Sequence, residues 1–255
     1  MHAQQVGPRL YHDRHGHVLP PENSLLQTRL NQIQEYSNLH QLKINESKTK
    51  IMSFNFSLKY DFLPKMEIGD KQLEVVKSTK LLGIIISSDL KWNEHTSYTV
   101  KKAMQRLWFL RRLSKLGASR ETLLDLYHLR VRSILELGVP VFAGGLSKTN
   151  IDDFEDVQRQ AFKIILRGNF NSYENALEIL EENKLEERRN QISLKFAKKC
   201  VYHPKMKHLF QKRVKVVPRS EATFTEPQSG NARSYKGPIH FLLRLLNNHY
   251  GPVGP

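Results

Sequence analysis

Leu81-Leu82-Gly83-Ile84-Ile85-Ile86-Ser87-Ser88-Asp89-Leu90-Lys91-Trp92 decides how this chain is read. The first six residues are apolar on both faces, which predicts a strand inside a sheet and not at its edge. The run then breaks into a polar turn, with Asp89 as a turn residue, and ends on a tryptophan. Upstream of it the apolar period is that of strands. From Asn93 onward it is helical.

Upstream, Ile51 to Phe56 alternates: Met52, Phe54 and Phe56 fall on one side, Ser53 and Asn55 on the other, as in a half-buried strand. Met66-Glu67-Ile68 and Gln72 to Val76 flank a hairpin turn at Gly69-Asp70. Before them Asn23 or Ser24 caps a helix whose apolar side carries Leu26, Leu30, Ile33 and Tyr36. Residues 23–92 are therefore expected to form a helix packed on a small, mostly antiparallel sheet. Residues 1–22 have no apolar period and end in Pro20-Pro21, so they read as a disordered arm. His12, His15 and His17 in that arm read as inert and not as a metal site.

Downstream, Val100, Ala103, Met104, Leu107 and Leu110 make one helical stripe. Ser119 caps a second helix carrying Leu123, Leu124, Tyr127, Val131, Ile134 and Leu135, which stops before Gly138 and Pro140. Asn150 is expected to cap a third, with Asp152, Asp153 and Glu155 in its first turn, Phe154, Val157, Ala161, Ile164 and Ile165 as its stripe, and Gly168 closing it. Residues 93–170 thus predict an all-α bundle. Helices over Ser172 to Glu182 and Leu185 to Val201 make a basic extension, 171–211, the second striped by Leu185, Ile192, Phe196 and Cys200. Residues 212–255 read as a loop-rich tail in which Phe241 to Leu246 docks as a helical turn. The fold class expected is α+β.

The 255 residues carry a net charge of +15, which favours polyanionic partners. A single cysteine, Cys200, excludes an internal disulfide, and no CxxC pair offers a zinc knuckle. No apolar run approaches the ~20 residues that span a bilayer. The expectation is an intracellular protein, in nucleus or cytoplasm, without a membrane partner. Nothing in the sequence fixes its oligomeric state.

Two stretches carry the charge. Residues 101–115 hold Lys101, Lys102, Arg106, Arg111, Arg112 and Lys115 without an acid. At 100° per residue Lys101, Lys102, Arg106 and Arg112 fall opposite the apolar stripe, with Phe109 among them, a pattern suited to phosphates and to stacking. Residues 195–219 hold nine bases and no acid, Lys195, Lys198 and Lys199 among them. Unbroken positive charge of this kind favours phosphate contact without sequence reading. The acids, by contrast, fall in helix turns, where capping and pairing account for them. No P-loop, nucleophile elbow or H-E-x-x-H pair is present, and no metal ligands are assigned.

Lys43 to Phe54, Leu81 to Trp92 and the helices from His95 to Leu166 together resemble the C-terminal half of a non-LTR retrotransposon reverse transcriptase of the LINE or jockey type. The resemblance runs from Ser24 to Phe210, more weakly to Asn247. It implies a palm remnant over residues 23–92 followed by a thumb-like bundle. Lys48, with Lys50 second, would stand for the general acid of that palm, and Leu82, Gly83 and Ile84 for its primer grip. The family's Mg²⁺-binding aspartates have no counterpart here, His12-Asp13-Arg14 being no match for them. The resemblance therefore implies a truncated copy, with no cofactor of its own, that binds RNA, DNA or an RNA–DNA hybrid without polymerising. Outside that family, the same residues read as a non-enzymatic helical interaction protein with solvated basic faces.

Overall fold

The computed structural model describes residues 11–12, 18–19, 22–54, 65–212, 223–227 and 235–250. They fold as a mostly helical α+β chain in two compact units, Met1–Thr79 and Lys80–Pro255. Within the segment read as an arm, β1 (Tyr11–His12) pairs antiparallel with β2 (Val18–Leu19). His15 and His17 lie outside the described residues.

In the first unit α1 (Glu22–Leu39) is tied to β4 (Glu67–Ile68) by one side-chain amide. Gln27 Nε2 donates to the Glu67 carbonyl at 2.9 Å, and its Oε1 accepts from the Glu67 N–H at 3.0 Å. The amide takes the place of a neighbouring strand. That clamp turns the Gln27 and Ser37 side of the helix inward, so the expected apolar face is wrong: Leu26, Ile33 and Tyr36 are exposed, and only Leu30 is half-buried. β4 turns at Gly69-Asp70 into β5 (Lys71–Gln72), as the sequence predicts. The expected single sheet is instead a set of two-residue ladders, one of them parallel, between β3 (Lys50–Ile51) and β6 (Glu74–Val75). Of the strand expected over 51–56 only Ile51 is in a ladder, and Asn55 and Phe56 lie outside the described residues. Ile68 and Leu73 are deeply buried.

Residues 81–86 are not one buried strand. β7 (Ser78–Leu81) and β8 (Ile84–Ser87) form a hairpin joined by Leu82-Gly83, both in the left-handed region at φ +49° and +91°. Two positive φ values are what a two-residue hairpin turn of the primed type requires. Leu82 is 90% exposed. Asp89 is the expected turn residue: its Oδ1 accepts from Ser87 Oγ and from the Lys91 N–H.

The second unit is built on α2 (Asn93–Lys115) against α6 (Lys148–Leu166). Ala103, Leu107 and Leu110 of α2 and Phe154, Val157, Ala161 and Phe162 of α6 are fully or almost fully buried. Each buried Leu or Phe contributes about 1.5–3 kcal/mol. Rotating α2 to bring Lys101 or Arg112 inward would forfeit this and bury charge as well. The basic face is therefore pinned to solvent by the apolar one.

Trp92, the residue before α2, seals its start against Phe142 and His95, with ring centroids 6.1 Å away in each case. A Cβ on Gly145 would lie 2.3 Å from the Trp92 indole nitrogen, so only glycine fits there. Ser119 caps α3 (Arg120–Tyr127) as expected, accepting from the Thr122 N–H. A π-helical turn, His128–Arg132, then leads into α4 (Ser133–Leu135), and Gly138 at φ +74° starts α5 (Val139–Phe142).

The third expected cap is displaced by three residues. Ser147 Oγ accepts from the Asn150 N–H, α6 begins at Lys148, and its first turn holds no acid. α6 is closed by the following residue, Arg167, which takes φ +54°, where Gly168 was expected to close it. α7 (Tyr173–Leu180) is capped by Ser172, and α8 (Leu185–Tyr202) follows. The inward side of α8 is Leu185, Arg189, Ser193, Ala197 and Cys200, with Phe196 exposed. The segment read as tail contributes α9 (Pro238–Tyr250), thirteen residues where one helical turn was foreseen. Proline at its first position has no N–H to lose and a helical φ. Leu242, Leu243 and Leu246 of α9 pack on Ala197, Cys200, Phe210 and Phe224.

Candidate functional site

The 23 residues of α2 span about 35 Å. Lys101, Arg111, Arg112 and Lys115 are exposed along it, and Lys102 and Arg106 are half-buried beside them. From His95 to Arg120 the chain has no acid, and no ion pair among the described residues uses any of these six bases. Phe109 lies among them at 43% exposure, as expected. The sequence reading missed Trp108, which is 58% exposed and meets Phe109 edge to face at 5.0 Å. Its angle, 100° past Leu107, was the available signal.

Positive charge continues toward the hairpin. Lys80 Nζ donates to the Tyr98 phenol at 2.6 Å and lies 4.4 Å from the ring centroid. That hydrogen bond, with the charges of Lys80 and Lys102, lowers the Tyr98 pKa below the ordinary phenol value. At the other end Arg167 is used structurally. Its guanidinium donates to Ser114 Oγ and to the Ser114 and Ala118 carbonyls, at 2.8–3.0 Å, and so caps the end of α2.

Of the second basic stretch, Lys195 and Lys199 are exposed on α8, and Lys198 stands 5.8 Å over the Tyr250 ring. Arg213, Lys215 and Arg219 lie outside the described residues. Lys48 is exposed in a single 3-10 turn, Glu46–Lys48, while Lys50 is ion-paired with Glu74. Leu82, Gly83 and Ile84 are the hairpin turn and the start of β8. Lys48 belongs to the first unit and the α2 bases to the second.

The acids are structural. Glu155 is buried and accepts from Tyr173 Oη at 2.5 Å and from the N–H groups of Leu185 and Glu186, so it caps α8 and not its own helix. Its neighbour Gln158 accepts from Tyr127 Oη and donates to Tyr173 Oη and the Asn183 carbonyl. Burial and the Glu155 bond push the Tyr173 phenol well up; burial does the same for Tyr127. Arg189, 4% exposed, has its pKa lowered by burial, with Glu155 3.8 Å away opposing the shift. Glu182 pairs with His128 at 2.5 Å and Arg132 at 2.7 Å, and Glu136 takes a bidentate bond from Arg188. Arg189 Nη2 has no hydrogen-bond partner among the described residues, but the Glu155, Gln158, Glu182 and Glu136 pairings around it tie the helices into one packing. Here they aim α8 and its lysines. Among the described residues no group of three His, Cys, Asp or Glu could hold a metal ion, and no helix is long and apolar enough to cross a membrane.

Residues 92–133 match the family described as alkylated DNA repair protein alkB homolog 8, N-terminal. The match covers α2, α3 and the π-helical turn, well under half of the chain. No curated protein and no solved structure gives a match. The finding overturns the reverse-transcriptase resemblance, because the helices assigned to a thumb are the ones that match a different family. The roles of Lys48 and of the Leu82-Gly83-Ile84 turn rested on that resemblance and lose its support.

Proposed function

We propose that this chain is a non-enzymatic helical interaction protein that binds nucleic acid through the solvent face of α2. Lys101, Lys102, Arg106 and Arg112 contact phosphates, and Trp108 and Phe109 pack on sugar or base. The observation that carries the reading is the exposed Trp108–Phe109 pair set among bases that have no carboxylate partner in the described residues. A merely solvated face accounts for unpaired lysines, but it gives no reason to hold an indole in water, where burying it would gain free energy. The name of the matched family, a DNA repair protein, supports a nucleic-acid partner.

Phosphate contact by bases releases condensed counterions, so affinity falls with salt. Four contacts on a duplex predict a slope of about −3 to −4 in log K against log salt. Fluorescence anisotropy with a labelled duplex measures it. Lys101→Glu with Lys102→Glu should weaken binding about tenfold or more and flatten the slope by about two. Salt-independent or absent binding would leave the solvated face as the answer.

A further inference from the structure

Near the C-terminal end of α8, Lys198 and Tyr202 meet Lys212, Thr223, Phe224 and Tyr250 around a cleft of about 70 Å³. Its walls are held in place. Asn247 Oδ1 accepts from the Phe224 N–H at 2.8 Å, Thr223 Oγ1 donates to the Tyr250 carbonyl at 3.0 Å, and Lys198 Nζ sits over the Tyr250 ring. Phe224 is buried as the floor, and Tyr202 stands 78% exposed at the rim. No carboxylate among the described residues lines the cleft. The nearby acid, Glu226, is turned to Asn247 Nδ2 at 3.3 Å.

We propose that this cleft takes the terminal phosphate monoester of a nucleic-acid strand, with the adjoining base stacked on Tyr202. The inference rests on the nucleic-acid reading above and goes beyond it by naming the part of the strand that is held. Size argues for a phosphate. The cleft has room for roughly five water-sized groups, against the about 300–1,000 Å³ that whole small-molecule ligands occupy. Charge argues for an end. Two lysines match a monoester of about −1.5 to −2, whereas a phosphate inside the strand carries a single charge. The rings supply the rest, since an exposed tyrosine beside a bound phosphate is a stacking platform for any base.

The test is anisotropy of the full chain with one single-stranded oligonucleotide in three forms: 5′-phosphate, 3′-phosphate and hydroxyl at both ends. The phosphorylated end that fits should bind about tenfold tighter than the hydroxyl form, the scale of charge-assisted hydrogen bonds. Lys198→Gln with Lys212→Gln should erase that preference, and inorganic phosphate, added at constant ionic strength, should compete it away while leaving hydroxyl-ended binding untouched. Tyr202→Leu, an exposed change that leaves the fold alone, should lower it in part. Equal affinity for all three forms overturns the proposal, and so does a preference that survives the double substitution. Failure of the α2 reading shows separately, as binding of a hydroxyl-ended duplex that ignores Lys101→Glu and Lys102→Glu.

Discussion

Trp92 and Trp108 belong to the same helical segment, and their surroundings are opposite. Trp92 is 7% exposed, wedged against Phe142, His95 and the bare backbone of Gly145. Trp108 is 58% exposed and leans on Phe109 amid bases. The helix is thus anchored by its start and its apolar side, and what its other side presents is free to vary without cost to the fold. Rigid support beneath an exposed cationic and aromatic surface is the arrangement a binding face needs. The two kinds of aromatic are told apart by their angle around the helix, since neighbouring residues in sequence do not distinguish them.

Glu155→Leu leaves Arg189 buried without its carboxylate and uncaps α8, so stability should fall by about 3–5 kcal/mol. Urea denaturation measures it. A loss below 1 kcal/mol would mean that the buried network does not hold the helices. Trp92→Ala comes next, at about 3 kcal/mol, the low end for an indole because its rim is still wet. Trp108→Ala should do the reverse. Its midpoint should stay within about 0.5 kcal/mol of the parent, while affinity for nucleic acid falls about fivefold to tenfold through lost stacking.

The smallest effect is a pH dependence. His95 is 2% exposed, with its Nδ1 toward the Ile85 N–H at 3.4 Å and no partner at Nε2 among the described residues. Burial lowers its pKa below the ordinary 6.5. The unfolded chain then binds the proton more readily than the folded one between the lowered value and 6.5, so stability is full above that window and is lost as pH falls through it. The slope is at most about 1.4 kcal/mol per pH unit. Thermal melts from pH 7.5 downward should show a shallower decline in His95→Gln than in the parent protein.

The helical bundle was legible because its stripes are long and regular: Ala103, Leu107 and Leu110 could face only one way. Ser119 was legible as a cap because it stands alone before its helix. Ser147 was not, since Asn150 has an equally short polar side chain, and only the backbone decides between them. The Leu82-Gly83 turn was hidden inside an apolar run that has no period to reveal it. The face of α1 was misread because a glutamine, clamped to a strand backbone, turned Leu26, Ile33 and Tyr36 away from the inward side. Glu155 looked like a helix-dipole acid in sequence; its partners, Tyr173 and the start of α8, arrive from eighteen and thirty residues on. The exposed side of α2, with its lysines and arginines, was readable from angle alone, whereas Trp108 on that same side was not singled out. The family resemblance drawn from Lys43–Phe54, Leu81–Trp92 and the helices from His95 to Leu166 did not survive, because residues 92–133, inside those helices, match a different family.

The most direct measurement uses Trp108 as its own reporter. In a Trp92→Phe background it is the one indole left in the chain. Titration with an unlabelled duplex at low salt should quench or shift its emission to saturation, and added salt should reverse the change along the slope expected for four phosphate contacts. Emission that stays constant while anisotropy reports binding would place the nucleic acid elsewhere and contradict the account.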